Sequence, residues 1–272
     1  MMSKKVVLVT GASSGIGFEA ALELKENGFI VYGAARRIEK LKELESKGIK
    51  TIELDVTNDE SMVKCVDQIV KNEGTIDVLV NNAGYGSYGA IEDVPMEEAR
   101  RQVEVNVFGL ARMTQLVLPH MRKQHFGRII NISSVGGKVH TLFGGWYHAT
   151  KFAVEGFSDC LRVEVEEFGI DVVVVEPGGI KTDWGIIAAE NLKKSSAKGA
   201  YAKSALKSAE SQKQIYSGNR LTDPKVIAHT ITKAATAKKP KTRYLIGFGA
   251  KPFVFLKRVL SDRMFDKIIK SL

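Results

Sequence analysis

The sequence predicts a three-layer α/β fold, doubly wound around a mainly parallel sheet of seven strands, in one domain over residues 1–272. Three observations lead there. Short runs rich in Val and Ile alternate with longer helical stretches, the order expected of right-handed crossovers between parallel strands. The strand runs are nearly continuous in apolarity, as strands covered on both faces must be. The first run ends in a glycine-rich turn that leads directly into a helix.

In chain order, residues 5–10 (KVVLVT) form the first strand, and residues 17–27 a helix stopped by Asn27-Gly28. Residues 30–34 and 51–55 (TIELD) follow as strands, and Asn58-Asp59-Glu60 opens the next helix with a cap-like start. Residues 77–80, 128–133 and 171–176 are the next strands, with a helical stretch over 146–168. After Thr182 the pattern changes. Residues 183–218, rich in Lys, Ser and Ala, read as a partly helical, mobile excursion that forms a substrate-binding loop region. A helix over 224–237, a strand over 242–246 and an apolar, basic tail over 251–272 complete the chain.

Apolar residues make up 44%, enough for a sizeable core. No apolar run approaches the roughly 18 residues of a membrane span. Residues 6–9 are too short for a signal-peptide core, and cytoplasmic residence is the expectation. Cys65 and Cys160 lack CxxC spacing and are expected to be buried, reduced thiols. His120, His125, His140 and His148 form no ligand pattern, so no metal is expected. The net charge of +9 is uneven: residues 1–180 hold 20 basic and 25 acidic side chains, residues 181–272 hold 20 and 6. No helix-turn-helix, zinc-finger or RNA-binding signature accompanies the basic third, which argues against nucleic acid.

The turn Gly11-Ala12-Ser13-Ser14-Gly15-Ile16-Gly17 sits at the first strand–helix junction. Glycines there let the backbone lie against a pyrophosphate on the helix N-terminus. The second strand ends in Ala34-Ala35-Arg36-Arg37, with no acid to bind ribose hydroxyls. Arg36 suits the extra 2′-phosphate of NADP(H), which is therefore preferred over NAD(H). Asp55 closes the third strand, where its carboxylate can accept from an adenine amino group. The fourth ends in Asn81-Asn82-Ala83-Gly84, small enough for close approach of the adenosine ribose. Asn81 suits a structural and a binding role equally.

Tyr147 and Lys151 lie four apart on a predicted helix and share a face. Lowering a phenol from a pKa near 10 to about 7.5 needs roughly 3.4 kcal/mol. A lysine charge about 4 Å away supplies on the order of 4 kcal/mol at an effective dielectric near 20. Ser134, at the carboxyl end of the fifth strand, can donate to a substrate carbonyl.

With Asn106 and Pro177-Gly178-Gly179-Ile180-Lys181-Thr182, these motifs resemble the ordered signature of the short-chain dehydrogenase/reductase superfamily, in its roughly 250-residue classical branch. The resemblance spans residues 10–182 and implies a Rossmann fold. It further implies that Tyr147 is the acid/base, that Lys151 lowers its pKa and binds the nicotinamide ribose, that Ser134 orients the carbonyl, and that Asn106 holds a proton-relaying water. Ile180 and Thr182 would fix the carboxamide, beside Pro177 and Gly178, while Val56 would join Asp55, Asn82, Ala83 and Gly84 around the adenosine. Ala35-Arg36, with Arg37 beside it, matches the family's NADP-preferring pattern. The helix before Asn106 would take part in a homodimer or homotetramer interface.

A looser resemblance to 17β-hydroxysteroid-dehydrogenase-like and acyl-dihydroxyacetone-phosphate-reductase-like enzymes implies a ketone or aldehyde on a lipophilic skeleton. Phe143, Trp146 and Trp184 suit a pocket wall or ordinary packing. The basic amphipathic residues 252–272 suit peripheral membrane contact, or packing over the pocket or an oligomer interface. The alternative to an enzyme is a non-catalytic NADPH-binding sensor or interaction module.

Overall fold

In the computed structural model, which describes residues 4–271, β1 (Val6–Thr10), β2 (Ile30–Ala35), β3 (Lys50–Glu53), β4 (Val78–Asn81), β5 (Gly127–Ile132), β6 (Ile170–Pro177) and β7 (Arg243–Ile246) form one sheet. Their spatial order is 3-2-1-4-5-6-7. Every neighbouring pair is parallel, so the sheet is wholly rather than mainly so. The helices are α1 (Gly15–Glu26), α2 (Lys42–Ser46), α3 (Asp59–Glu73), α4 (Met96–Val103), α5 (Gly109–Lys123), α6 (Gly145–Val165), α7 (Trp184–Ser196), α8 (Ala202–Ser217), α9 (Pro224–Thr236), α10 (Ala250–Val259) and α11 (Asp262–Ser271).

Alternation along each strand divides the core in two. Val7 and Val9 of β1 pack on one side with Leu24 of α1 and Ile227 and Ile231 of α9. Val6 and Leu8 pack on the other with Ile69 of α3, Met113 and Val117 of α5 and Leu161 of α6. Each such side chain contributes about 1.5–3 kcal/mol by leaving water. No face of β1 is wet, which is why its sequence shows no polar alternation. The strand order reverses between β1 and β4, and the crevice beyond their carboxyl ends is where an open parallel sheet receives ligands.

Three expectations need correction. Residues 183–218 are not a loose excursion: α7 and α8 pack through Ala188, Ala189, Ala205 and Ala209. Ala and Lys favour helix, and the small residues form a contact stripe that composition alone hides. The tail, as its amphipathic pattern allows, is a helical pair packed beside the cleft, and Phe265 and Ile269 of α11 bury against Val139. Cys65 is buried, but Cys160 is exposed. It lies on an outer face of α6 with exposed Phe152 and Val163, an apolar stripe that imitates a core face. β3 stops at Glu53: the Leu54 amide makes the last bond to β2, at 3.1 Å to the carbonyl of its final residue Ala35, so Asp55 lies beyond the strand.

Candidate active site

At the nucleotide end, Gly11 and Gly15 take left-handed φ angles of 66° and 58°. A Cβ on Gly17 would stand 2.4 Å from Asn82 Nδ2 and 2.5 Å from the Gly11 carbonyl oxygen. Only glycine lets this turn close on the end of β4. Asn82 Nδ2 donates to the carbonyls of Thr10 (3.0 Å) and Gly11 (3.2 Å), and Thr10 Oγ1 accepts from the amides of Asn82 and Ala83 at 3.0 Å each. Thr10 is a site residue that motif reading missed; its signal is a hydroxyl at the last strand position before the glycines. The Ser14 side chain makes no capping bond to α1. Ser13, Ser14, Gly15 and Ile16 line the cleft, so the positive end of α1 meets it.

Arg36, Arg37 and Lys40 line the same cleft beyond β2, and Arg37 Nη2 reaches Ser13 Oγ at 3.4 Å. Asp55 and Val56 also line it, but Asp55 Oδ1 already accepts from Thr57 N (2.9 Å) and Thr57 Oγ1 (2.8 Å). Asn81 is buried and structural: its Nδ2 donates to Asn131 Oδ1 (2.9 Å) and Thr114 Oγ1 (3.1 Å), tying β4 to β5 and α5. Ala83, Gly84, Pro177, Gly178, Ile180 and Thr182 complete this wall. Thr182 Cγ2 would stand 3.3 Å from a Cβ on Gly15, so the two walls nearly meet there.

At the other end, α6 carries Tyr147 and Lys151, 7% and 8% exposed. Ser134 opens the short turn after β5; its Oγ accepts from Gly136 N at 3.0 Å and lies 3.4 Å from the Pro177 carbonyl oxygen. Burial pushes the Tyr147 hydroxyl up to about 12, and a hydrogen bond with Ser134 works against that rise. Lys151 Nζ donates to the Ile132 carbonyl at 2.9 Å and stands 5.9 Å from the Tyr147 ring centroid. Burial lowers Lys151 to about 8, opposed by the charge of Glu155 one turn on. Lys151 is not among the groups that lower the phenol here, where burial and Ser134 set its direction. The ammonium engages a strand carbonyl, and desolvation dominates both groups.

Asn106 sits in a π turn, residues Glu104–Phe108, between α4 and α5. Its Oδ1 accepts from Tyr85 N (3.0 Å), and its Nδ2 donates to Tyr85 O (2.9 Å) and Thr150 Oγ1 (3.0 Å). Thr150 Oγ1 in turn donates to the Tyr147 carbonyl at 2.8 Å. Thr150 and Tyr85 were not legible as site residues. Their parts appear only once the π turn swings Asn106 against α6, and such a turn has no sequence signature.

An aromatic wall flanks the phenol. Trp184 and Tyr147 have ring centroids 5.0 Å apart, Tyr88 lies 5.9 Å from each, and Tyr216 is 6.2 Å from Trp184. Of the three aromatics singled out in the sequence, Trp184 lines the cleft; Phe143 and Trp146 do not. Phe143 instead packs edge-on to Tyr201 at 6.4 Å. The whole cleft measures about 1270 Å³ and runs from the arginines to Trp184. A glycine cradle, a helix N-terminus and a cationic end, all in one channel with Tyr147 and Lys151, fit a nicotinamide dinucleotide. Among the described residues no group of three or more His, Cys, Asp or Glu could hold a metal.

Comparison with known proteins agrees with this geometry. The family model described as "short chain dehydrogenase" matches residues 5–196. A probable short-chain type dehydrogenase/reductase of Helicobacter pylori is 34% identical over 267 residues, covering 97% of this chain and 96% of its own. A 3-ketodihydrosphingosine reductase of Bacteroides thetaiotaomicron is 46% identical over 182 residues, 66% of each chain. The crystal structure of a short-chain dehydrogenase from Streptomyces avermitilis superposes with a TM-score of 0.82 at 34% identity, covering 99% of both chains. A serine dehydrogenase solved with NADP+ superposes with a TM-score of 0.77 at 26% identity, covering 89% of this chain and 94% of its own.

Proposed function

Because the chain belongs to the short-chain dehydrogenase family, an oxidoreductase family acting on CH–OH groups, we propose that it interconverts a ketone or aldehyde and its alcohol on a lipophilic substrate, with NADP(H) as redox partner. The observation that carries the reading is the buried Tyr147 hydroxyl, bonded to Ser134 and facing a cleft walled by Trp184 and Tyr88.

When bound, the nicotinamide supplies or accepts hydride at the carbonyl carbon. The protein's own residues supply everything else. With burial pushing it up to about 12, Tyr147 keeps its proton at neutral pH and donates it to the carbonyl oxygen during reduction. Ser134 Oγ accepts from Gly136 N and donates only a long, 3.4 Å bond to the Pro177 carbonyl, which its proton exchanges for the substrate oxygen when it holds it. The Lys151 ammonium stabilises the phenolate left behind, and its remaining N–H groups hold the nicotinamide ribose. Asn106 fixes the backbone between Tyr147 and Lys151 through Thr150, beside the path by which the proton is restored.

Gly11, Ser13, Ser14, Gly15, Ile16 and Gly17 seat the pyrophosphate; Asp55, Val56, Asn82, Ala83 and Gly84 seat the adenosine; Pro177, Gly178, Ile180 and Thr182 flank the nicotinamide. The preference for NADP(H) rests on Arg36 and Arg37 where an NAD enzyme has an acid, and the NADP+-bound serine dehydrogenase is consistent with it. The relative named for 3-ketodihydrosphingosine reduction, together with Tyr88, Trp184, Ile187, Ile215 and Tyr216 in the cleft, supports a ketone on an apolar skeleton, in keeping with the hydroxysteroid-dehydrogenase-like subgroup. The test is cofactor oxidation with NADPH and with NADH across ketones and aldehydes of increasing chain length, with Tyr147→Phe as control. Turnover with NADPH that rises with apolar chain length is the expected result. NADPH binding without turnover on any member would leave only the binding-module reading.

A further inference from the structure

The C-terminal helical pair carries a surface that the redox chemistry does not use. Phe265 and Ile269 anchor α11 to Val139. On another side of α11, Arg263, Lys267 and Lys270 follow at helical spacing, all exposed. α10 turns Lys251, Phe255, Arg258 and Val259 outward at the same spacing. Phe255 is 63% exposed, Val259 59% and, on α11, Met264 53%. Three large apolar side chains thus stand in water among five cations.

The two acids of this segment do not offset those cations. Asp262 accepts from Lys257 Nζ at 2.6 Å, and Asp266 lies 3.0 Å from His140 Nε2. Among the described residues, no ion pair involves Lys251, Arg258, Arg263, Lys267 or Lys270. The arrangement disfavours a second copy of the chain as occupant, since a symmetric contact would set five cations against five. It favours a surface that is anionic outside and apolar just beneath.

We propose that the outer face of α10 and α11 docks on an anionic lipid bilayer. Phe255, Val259 and Met264 enter the boundary between headgroups and acyl chains, and the five cations lie among the headgroups. Phe253, Ile269 and Lys270 of the same pair line the cleft, Lys270 at its rim, so docking brings the cleft wall to the bilayer. On the proposed lipophilic substrate, that placement lets substrate enter from lipid; the docking itself does not depend on that reading.

The test is co-sedimentation of the full chain with phosphatidylcholine vesicles, with and without phosphatidylglycerol. Binding is expected only with the anionic lipid, and high salt should reverse it. At about fivefold per cation near such a surface, the double variant R263E/K267E should weaken partitioning at least ~25-fold. F255S/V259S should weaken it while leaving NADPH binding and melting temperature unchanged, which separates docking from folding. Equal partitioning with and without phosphatidylglycerol overturns the proposal. So does loss of a dimer by F255S/V259S, in size-exclusion chromatography, with vesicle binding intact. Neither readout uses turnover, so failure of the redox reading would be seen separately.

Discussion

Tyr147 and Lys151 share a helix face and a buried site, yet burial moves them in opposite directions: the phenol up to about 12, the ammonium down to about 8. Both shifts favour the neutral forms, which suits a proton donor but leaves the lysine close to losing its charge. The alkaline limb of kcat/KM for reduction should therefore fall near pH 8, as Lys151 deprotonates. Tyr147→Phe should lower kcat by about 10²–10⁴, the usual worth of a positioned acid. NADPH affinity, read by fluorescence, should persist, because the hydroxyl is bonded to Ser134 and not to the nucleotide end. Arg36→Ala should raise the Kd for NADPH roughly 10–100-fold, as a charged hydrogen-bonding pair implies, with little change for NADH. The glycine turn, Arg36, Ser134 and the Tyr147–Lys151 pair were read from residue type and spacing, whereas Asn106, Ile180 and Thr182 rested on the family resemblance. The direction of the Lys151 tip was not legible, since it is set by the Ile132 carbonyl on another element.

α6 continues past Lys151 into a half-buried ionic cluster, in which only Glu155 and Glu176 are fully buried. Glu155 Oε2 lies 2.8 Å from Lys138 Nζ and 3.1 Å from Arg243 Nη2. Glu176 at the end of β6 lies 3.3 Å from Lys138 and 3.2 Å from Arg243 Nε, and Asp159 lies 2.7 Å from Arg243 Nη2. Burial and then Glu155 raise the Glu176 carboxyl, whereas Arg243 and Arg162 hold Asp159 at about 2. Glu155 alone in this cluster supports the Lys151 charge. Glu155→Gln should therefore shift the alkaline limb to lower pH, while Glu176→Gln should change the melting temperature and leave the limb in place. The linkage sign follows from Lys151 lying below its ordinary 10.5. Between about pH 8 and 10.5 the unfolded chain binds the extra proton, so this group makes stability rise with pH there; Glu155→Gln extends that window downward. None of this was legible in the sequence. The cluster joins α6, β6, β7 and the turn after β5, and long-range pairs between charged residues leave no local pattern.

For the molecule as a whole, continuous apolar runs revealed a two-sided sheet because packing on both faces acts on every strand residue. The exposed apolar stripe of α6 shows where that logic misleads, since Cys160 was expected in the core and faces solvent beside Phe152 and Val163. If that stripe, rather than the helix before Asn106, forms a homo-oligomer surface, F152E/V163E should shift size-exclusion elution to the monomer with melting temperature retained. The cleft itself is assembled from both sides of the β1–β4 reversal, so a ligand spanning it braces the sheet's two halves together. Mass action puts that bracing near 2.7 kcal/mol at a hundredfold excess over Kd. For a domain of this size, about 2–4 °C per kcal/mol converts it to a rise of roughly 5–10 °C. NADPH should give that rise, and NADH at the same concentration a smaller one. The gap between them should close in Arg36→Ala, while Tyr147→Phe keeps it. A gap that survives in Arg36→Ala would mean that the 2′-phosphate is held elsewhere in the cleft than beside β2.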